Sequence, residues 1–160
     1  MKAIILASGI GKRLRPLTND IPKNLVKING MTILEYQLNL LSNCNIKDVI
    51  ITTGPFDYKV KNLLKDRYLD LEIKYVNNPI YNKTNYIYSL WLTRDYIDDD
   101  IILIHGDLIF TIDILKKIIS SKDNVVLVNK TMKPPKKDFK AVIENGMIKK
   151  ISVNFLKYHF

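Results

Sequence analysis

The chain opens with a strand-length apolar run, Lys2-Ala3-Ile4-Ile5-Leu6, that passes directly into Ala7-Ser8-Gly9-Ile10-Gly11-Lys12-Arg13. The run is too brief for the apolar region of a signal peptide and reads as a buried first strand ending at a glycine turn. Further strand-length runs follow at 49–53, 71–76 and 101–105, separated by segments of helical period. That alternation predicts an α/β class, with a mostly parallel sheet covered by helices on both faces.

Thr32-Ile33-Leu34-Glu35 is a capping box, and Ile33, Tyr36, Leu40 and Leu41 continue an apolar stripe, so a helix is predicted over 32–43. Residues 58–67, 87–96 and 112–120 read as further helices, and 125–128 as extended chain. Pro16, Pro22 and Asn19-Asp20 forbid a continuous helix after the first strand, and this loop is expected over the sheet's edge. A basic loop is expected around Pro134-Pro135. Beyond it, 141–144 and 147–151 flank Asn145-Gly146, a two-residue turn signal that predicts a β-hairpin. With 160 residues, 47% of them hydrophobic, and no repeat or linker, 1–160 fits a single domain.

Composition narrows the partners. The formal charge of +9 is spread over both halves, with every basic run interrupted by acids or apolar residues, so no nucleic-acid partner is expected. A general pull on anionic small molecules is the safer consequence. No apolar stretch approaches the roughly 18 to 20 residues that span a bilayer, so a soluble, cytoplasmic protein without a membrane partner is expected. The one cysteine, Cys44, allows neither an internal disulfide nor a metal-ligand cluster.

The glycine turn carries the chemistry. Small residues let backbone approach a ligand closely, and Lys12 and Arg13 beside them make phosphate the natural partner. A Walker A loop fails here, because Leu6 and Arg13 stand where it requires Gly and Ser or Thr. The dinucleotide fingerprint fails as well: Leu14 replaces its third small residue, and Thr52-Thr53-Gly54 stand where an acid is needed. The stretch from Leu6 through Thr18, with Pro22-Lys23 downstream, instead resembles the signature of the sugar-phosphate and choline-phosphate nucleotidyltransferase family.

The resemblance implies a Rossmann-like three-layer fold and an enzyme that transfers a nucleoside monophosphate to a small phosphorylated acceptor. It implies that Leu6, Ala7, Ser8, Gly9, Gly11, Lys12 and Arg13 wrap the triphosphate, with Arg13 and Lys23 at the departing and reacting phosphates. Fixed cations and backbone N–H groups suit the charge that develops during displacement at phosphorus. Gly106-Asp107, after a buried strand, matches the family's metal site, so Asp107 is expected to hold Mg²⁺. Asn78, Thr84 and Asn85 fall in the base-reading segment, and asparagine offers both a donor and an acceptor to a pyrimidine.

Asn85-Tyr86-Ile87-Tyr88-Ser89-Leu90-Trp91 resembles bacterial CTP:phosphocholine cytidylyltransferases and their relatives. This favours CTP, and an acceptor of the phosphocholine or phosphoglutamine type contacted by Tyr88, Ser89 and Trp91, since aromatics attract cationic head groups. Core packing is the competing role for Tyr88 and Trp91, three apart on a predicted helix. Family members carry a second metal carboxylate beyond the hairpin, and Asp113, Asp123, Asp138 and Glu144 sit in no comparable motif. The chain is therefore expected to lack the usual C-terminal third. A sugar 1-phosphate uridylyl- or thymidylyltransferase and a nucleotide-binding module without full activity remain alternatives, and a homo-oligomer is compatible with the sequence.

Overall fold

The computed structural model describes residues 1–129, 131 and 139–153, so Pro134-Pro135 and Asp138 lie outside the described residues. The elements run in the order β1 (Lys2–Leu6), β2 (Lys27–Ile28), β3 (Met31–Thr32), α1 (Ile33–Asn43), β4 (Asp48–Thr53), α2 (Asp57–Leu64), β5 (Glu72–Asn77), α3 (Tyr86–Leu92), β6 (Ile101–His105), α4 (Ile112–Ile119), β7 (Lys140–Glu144) and β8 (Met147–Ser152). By contact the chain divides into two compact units, Met1–Ile119 and Ser120–Phe160, where the sequence reading takes 1–160 as one domain.

The first unit is built on a four-stranded sheet of order β5-β4-β1-β6, parallel throughout. Parallel neighbours require crossovers, and the crossovers place helices on the sheet's faces. Ala3, Ile5, Val49, Ile51, Ile102 and Ile104 pack on one face against Leu34, Leu38 and Leu41 of α1, Val60 and Leu64 of α2 and Leu115 of α4. Ile4, Leu6 and Ile50 point the other way, toward Leu90 of α3 and Tyr96. The result is a three-layer, Rossmann-like arrangement, and burial on both faces explains the apolar runs of the two inner strands, β1 and β4.

The capping box at the start of α1 forms as its sequence predicts. Thr32 donates its backbone N–H and its hydroxyl to Glu35 Oε2, at 3.0 and 2.8 Å, and Thr32 Oγ1 accepts the Glu35 N–H at 3.1 Å. Arg67 adds a hydrogen bond to Glu35 Oε1 at 2.7 Å. Burial pushes the Glu35 carboxyl up, but the Thr32 bonds and the Arg67 charge outweigh it and hold the group below its ordinary value.

Several boundaries differ from the sequence reading, each for a local reason. The second helix stops at Leu64 instead of 67, because Asp66 turns into the left-handed region at φ 58°. The third ends at Leu92, where the Thr93 hydroxyl donates to the Leu90 carbonyl at 2.7 Å and competes with the helix. Residues 125–128 form no strand: their side chains are exposed and no described strand pairs with them. A small hairpin, β2 with β3, went unread although Asn29-Gly30, with φ 50° and 85°, carries the same turn signal that correctly predicts β7–β8. The loop after β1 crosses the carboxyl ends of the strands instead of lying over the sheet's edge. It reaches β6 through Lys23 and Asp107 and reaches α2 through Lys59 Nζ, which donates to the Asp20 carbonyl at 2.6 Å.

Glu35→Ala removes the side-chain half of the capping box together with the Arg67 bond, leaves the residue 35 N–H on Thr32 Oγ1, and is expected to cost about 1 kcal/mol at neutral pH. A depressed carboxyl pKa stabilises the fold above the unfolded-state value of roughly 4.3 and loses that contribution as pH falls through the folded value. Urea unfolding of wild type and variant should therefore show a stability gap that is widest near pH 7 and narrows below pH 4.

Candidate functional site

The turn after β1 is gripped from both sides. The Leu6 carbonyl accepts the Gly106 N–H at 2.9 Å, Ala7 N–H donates to Thr52 Oγ1 at 3.0 Å, and Ser8 Oγ lies 3.0 Å from the same oxygen. Neither flank leaves room for a side chain. A Cβ on Gly54 would stand 2.2 Å from the Ser8 carbonyl oxygen, and one on Gly106 would stand 2.9 Å from Ala7 Cβ. Leu6, Ala7, Ser8 and Gly106 thus form the buried footing of the loop, while Gly9, Lys12 and Arg13 are exposed above it.

Gly11 adopts φ 72°, and its carbonyl accepts both the Leu14 N–H and the Thr18 hydroxyl at 2.8 Å. Thr18 is fully buried and ties the loop's return to its start. Lys12–Leu14 and Lys23–Leu25 are single 3-10 turns on either side of this brace. Lys23 Nζ then meets Asp107 Oδ2 at 2.6 Å, joining the loop to the turn after β6. Gly9, Gly11, Lys12, Arg13, Lys23 and Asp107 line one cleft of ≈ 620 Å³, closed on its apolar side by Val26, Ile28 and Ile33. It lies where parallel α/β sheets place ligands, outside the strands' carboxyl ends.

Burial pushes the Asp107 carboxyl up, yet the hydrogen bond and charge of Lys23, with backbone N–H donation, bring it below its ordinary value. Asp107 is consequently ionised at neutral pH. Among the described residues no three His, Cys, Asp or Glu side chains converge. A lone carboxylate beside a phosphate-sized cleft nevertheless fits Mg²⁺, which binds through one or two carboxylates and takes its remaining ligands from water and substrate phosphates.

In the segment expected to meet the base and the acceptor, the polar side chains bond to one another. Asn78 is only 1% exposed, and its Nδ2 donates to Thr84 Oγ1 and to Ser89 Oγ, both at 3.0 Å. Its oxygen accepts the Ile80 N–H at 3.1 Å, and Thr84 donates on to the Ile80 carbonyl at 2.9 Å. Both donors of the Asn78 amide are therefore engaged, so Asn78, Thr84 and Ser89 brace the approach to α3. Asn85 caps that helix by accepting the Ile87 N–H at 3.0 Å.

Tyr88 and Trp91 belong to neither the core nor the cleft. Their rings stack at 5.6 Å, and the Arg94 guanidinium lies 3.9 Å from the indole centroid, a ladder on the surface of α3 with Trp91 52% exposed. An indole already meeting a tyrosine and an arginine is not an open cage for another cation. His105 packs edge-on to Tyr86 at 5.1 Å. The sequence reading missed Thr18, Thr52 and Gly54; Gly54, directly after a buried strand and before Pro55, carried a usable signal of close backbone approach.

A profile of the nucleotidyl transferase family matches residues 2–145. The CTP:phosphoglutamine cytidylyltransferase of Campylobacter jejuni is 31% identical over 134 residues, 80% of this chain and 52% of that protein. The UTP–glucose-1-phosphate uridylyltransferase of Haloferax volcanii is 33% identical over 113 residues, 69% of this chain and 44% of that protein. The solved structure of CTP:phosphocholine cytidylyltransferase from Streptococcus pneumoniae matches with a TM-score of 0.59 at 39% identity, covering 66% of this chain and 44% of that one. The chain thus spans about half the length of the relatives it matches. No helix among the described residues is long and apolar enough to cross a membrane.

Thermal denaturation of three alanine variants should rank them by the space each new methyl meets. Gly54→Ala strikes backbone and is expected to cost about 1–3 kcal/mol, Gly106→Ala less, and Gly9→Ala, whose nearest neighbour is Lys23 Cε at 3.9 Å, almost nothing. Lys23→Met removes the charge that depresses Asp107 and leaves the burial that raises it. The Asp107 carboxyl pKa, followed by carbon-13 NMR, should therefore rise above its wild-type value.

Proposed function

The chain belongs to the nucleotidyl transferase family, and on that premise we propose that its cleft binds CTP and transfers CMP to the phosphate of a small amine- or amide-bearing acceptor, releasing pyrophosphate. The observation that carries this reading is the meeting of Lys23 and Asp107 at the mouth of a glycine turn already flanked by Lys12 and Arg13. One cleft then holds cations for the phosphates and a carboxylate for their metal ion.

An acceptor phosphate oxygen attacks the α-phosphorus, and the bond from that phosphorus to the bridging oxygen of pyrophosphate breaks in line with it. No protein nucleophile and no redox step is needed. Lys12 and Arg13 hold the departing β- and γ-phosphates, and Lys23 stands nearer the reacting centre, where its ammonium offsets charge that grows in the transition state. Asp107 would hold Mg²⁺, which would supply charge neutralisation at the phosphates. Charge that is already fixed in place does not have to be gathered during the reaction.

The preference for CTP is supported by the Asn85–Trp91 sequence and by the names of the Campylobacter and Streptococcus relatives. The amine or amide on the acceptor rests on the same two relatives, since Tyr88 and Trp91 form no open cage. The similarity to a uridylyltransferase favours UTP with a sugar 1-phosphate as the second reading.

Pyrophosphate release should be measured with CTP, UTP, dTTP and GTP, each against phosphocholine, phosphoethanolamine, a phosphorylated amino-acid amide and glucose 1-phosphate. Turnover with CTP and a nitrogen-bearing acceptor is expected, with Lys23→Met and Asp107→Asn each lowering kcat by about 10²–10³. Turnover with UTP alone removes the cytidylyl reading, and none with any pair removes transfer by this chain.

A further inference from the structure

On the stripe Ile33, Leu40, Leu41 that α1 turns toward the sheet, position 37 is glutamine, fully buried among leucines. A buried amide is costly unless it is hydrogen-bonded, and here only the nitrogen is, Oε1 being buried without a partner, so the bonds of Nε2 show what it is for. Gln37 Nε2 donates to the His105 carbonyl at 3.0 Å and to the Leu108 carbonyl at 2.8 Å. Those two carbonyls bracket Gly106-Asp107. The same turn is closed by the Leu108 N–H, which donates to the His105 carbonyl at 3.1 Å, and fastened to β1 by Gly106 N–H on the Leu6 carbonyl. The neighbouring Tyr36 hydroxyl donates to the Phe110 carbonyl at 2.8 Å, so two successive residues of α1 hold residues 105–110.

We propose that Gln37 is the positioning residue for Asp107: both N–H bonds of one buried amide clamp the turn that presents the carboxylate to the cleft. This rests on the transfer reading above, in which Asp107 works on the substrate side. Lys23 restrains Asp107 only from its tip, through a contact that must adjust when phosphates and metal arrive. Gln37 restrains the backbone beneath it through two neutral carbonyls and does not line the cleft, so its hold persists through the cycle. The carboxylate's place is then set by the core of the domain, through a helix whose own start is fixed by Thr32 and Glu35.

Gln37→Met keeps the volume and removes both donors. Leu41→Val, a buried substitution on the same helix that removes no hydrogen bond to the turn, serves as the stability control. Hydrogen exchange of the Leu108 amide should be about ten-fold faster in Gln37→Met than in Leu41→Val, at matched global stability. With CTP and its best acceptor, kcat should fall about ten-fold or more while KM for CTP stays within about two-fold, because the phosphate cradle is left in place. Leu41→Val should keep wild-type kcat well below its melting temperature. If Gln37→Met does not fold, Gln37→Asn, one methylene too short to reach both carbonyls, replaces it. Equal Leu108 exchange in variant and control overturns the proposal, as does faster exchange with unchanged kcat. A wild type without turnover removes the transfer reading instead, while the exchange comparison still decides whether Gln37 fixes the turn.

Discussion

Three strand ends converge within backbone contact distance, and the site depends on that approach. β1 ends between β4 and β6, and the residues leaving those two neighbours, Gly54 and Gly106, carry no side chain where Ser8, Ala7 and Leu6 pass. Were either glycine larger, the first turn would be pushed outward, and Gly9 and Gly11 with it. The polar groups in this wedge are satisfied locally, Thr52 receiving Ala7 and Gly106 donating to Leu6. The glycine loop therefore begins from a rigid footing although most of its own residues are exposed.

Above that footing the chain makes a long excursion and returns. Thr18 ties the excursion to Gly11, and Lys23 ends it against Asp107, so two segments far apart in sequence meet across the cleft. The geometry is economical in charge. One carboxylate faces several cations, leaving a net positive concavity suited to a polyanion with its metal ion. The apolar wall of Val26, Ile28 and Ile33 limits water on one side, where electrostatic contacts gain strength from the lower local polarity.

The sheet was legible because its signal is coarse. Burial on both faces forces a continuous apolar run in β1, and β6, apolar throughout its first four residues, falls where its own run stands; the capping box likewise announced α1 from two residues. The turn that lines the cleft was legible because glycine and cation spacing report backbone approach and charge directly. The base and acceptor assignments were less so, since Asn78 and Ser89 are residue types that either meet a ligand or satisfy each other, and only packing decides. Here they satisfy each other. Gln37 left a trace as a polar residue on an apolar stripe, but its partners are carbonyls about seventy positions away, which no local pattern records.

The ladder of Tyr88, Trp91 and Arg94 has a practical side. Trp91 is the only tryptophan in the chain, so every indole photon from this protein originates on the surface of α3, beside the buried brace of Asn78, Thr84 and Ser89. Indole emission reports the polarity and the cation contacts around that helix and is nearly blind to the interior of the sheet. The molecule carries a built-in optical probe of α3 and the segment before it, readable without any label.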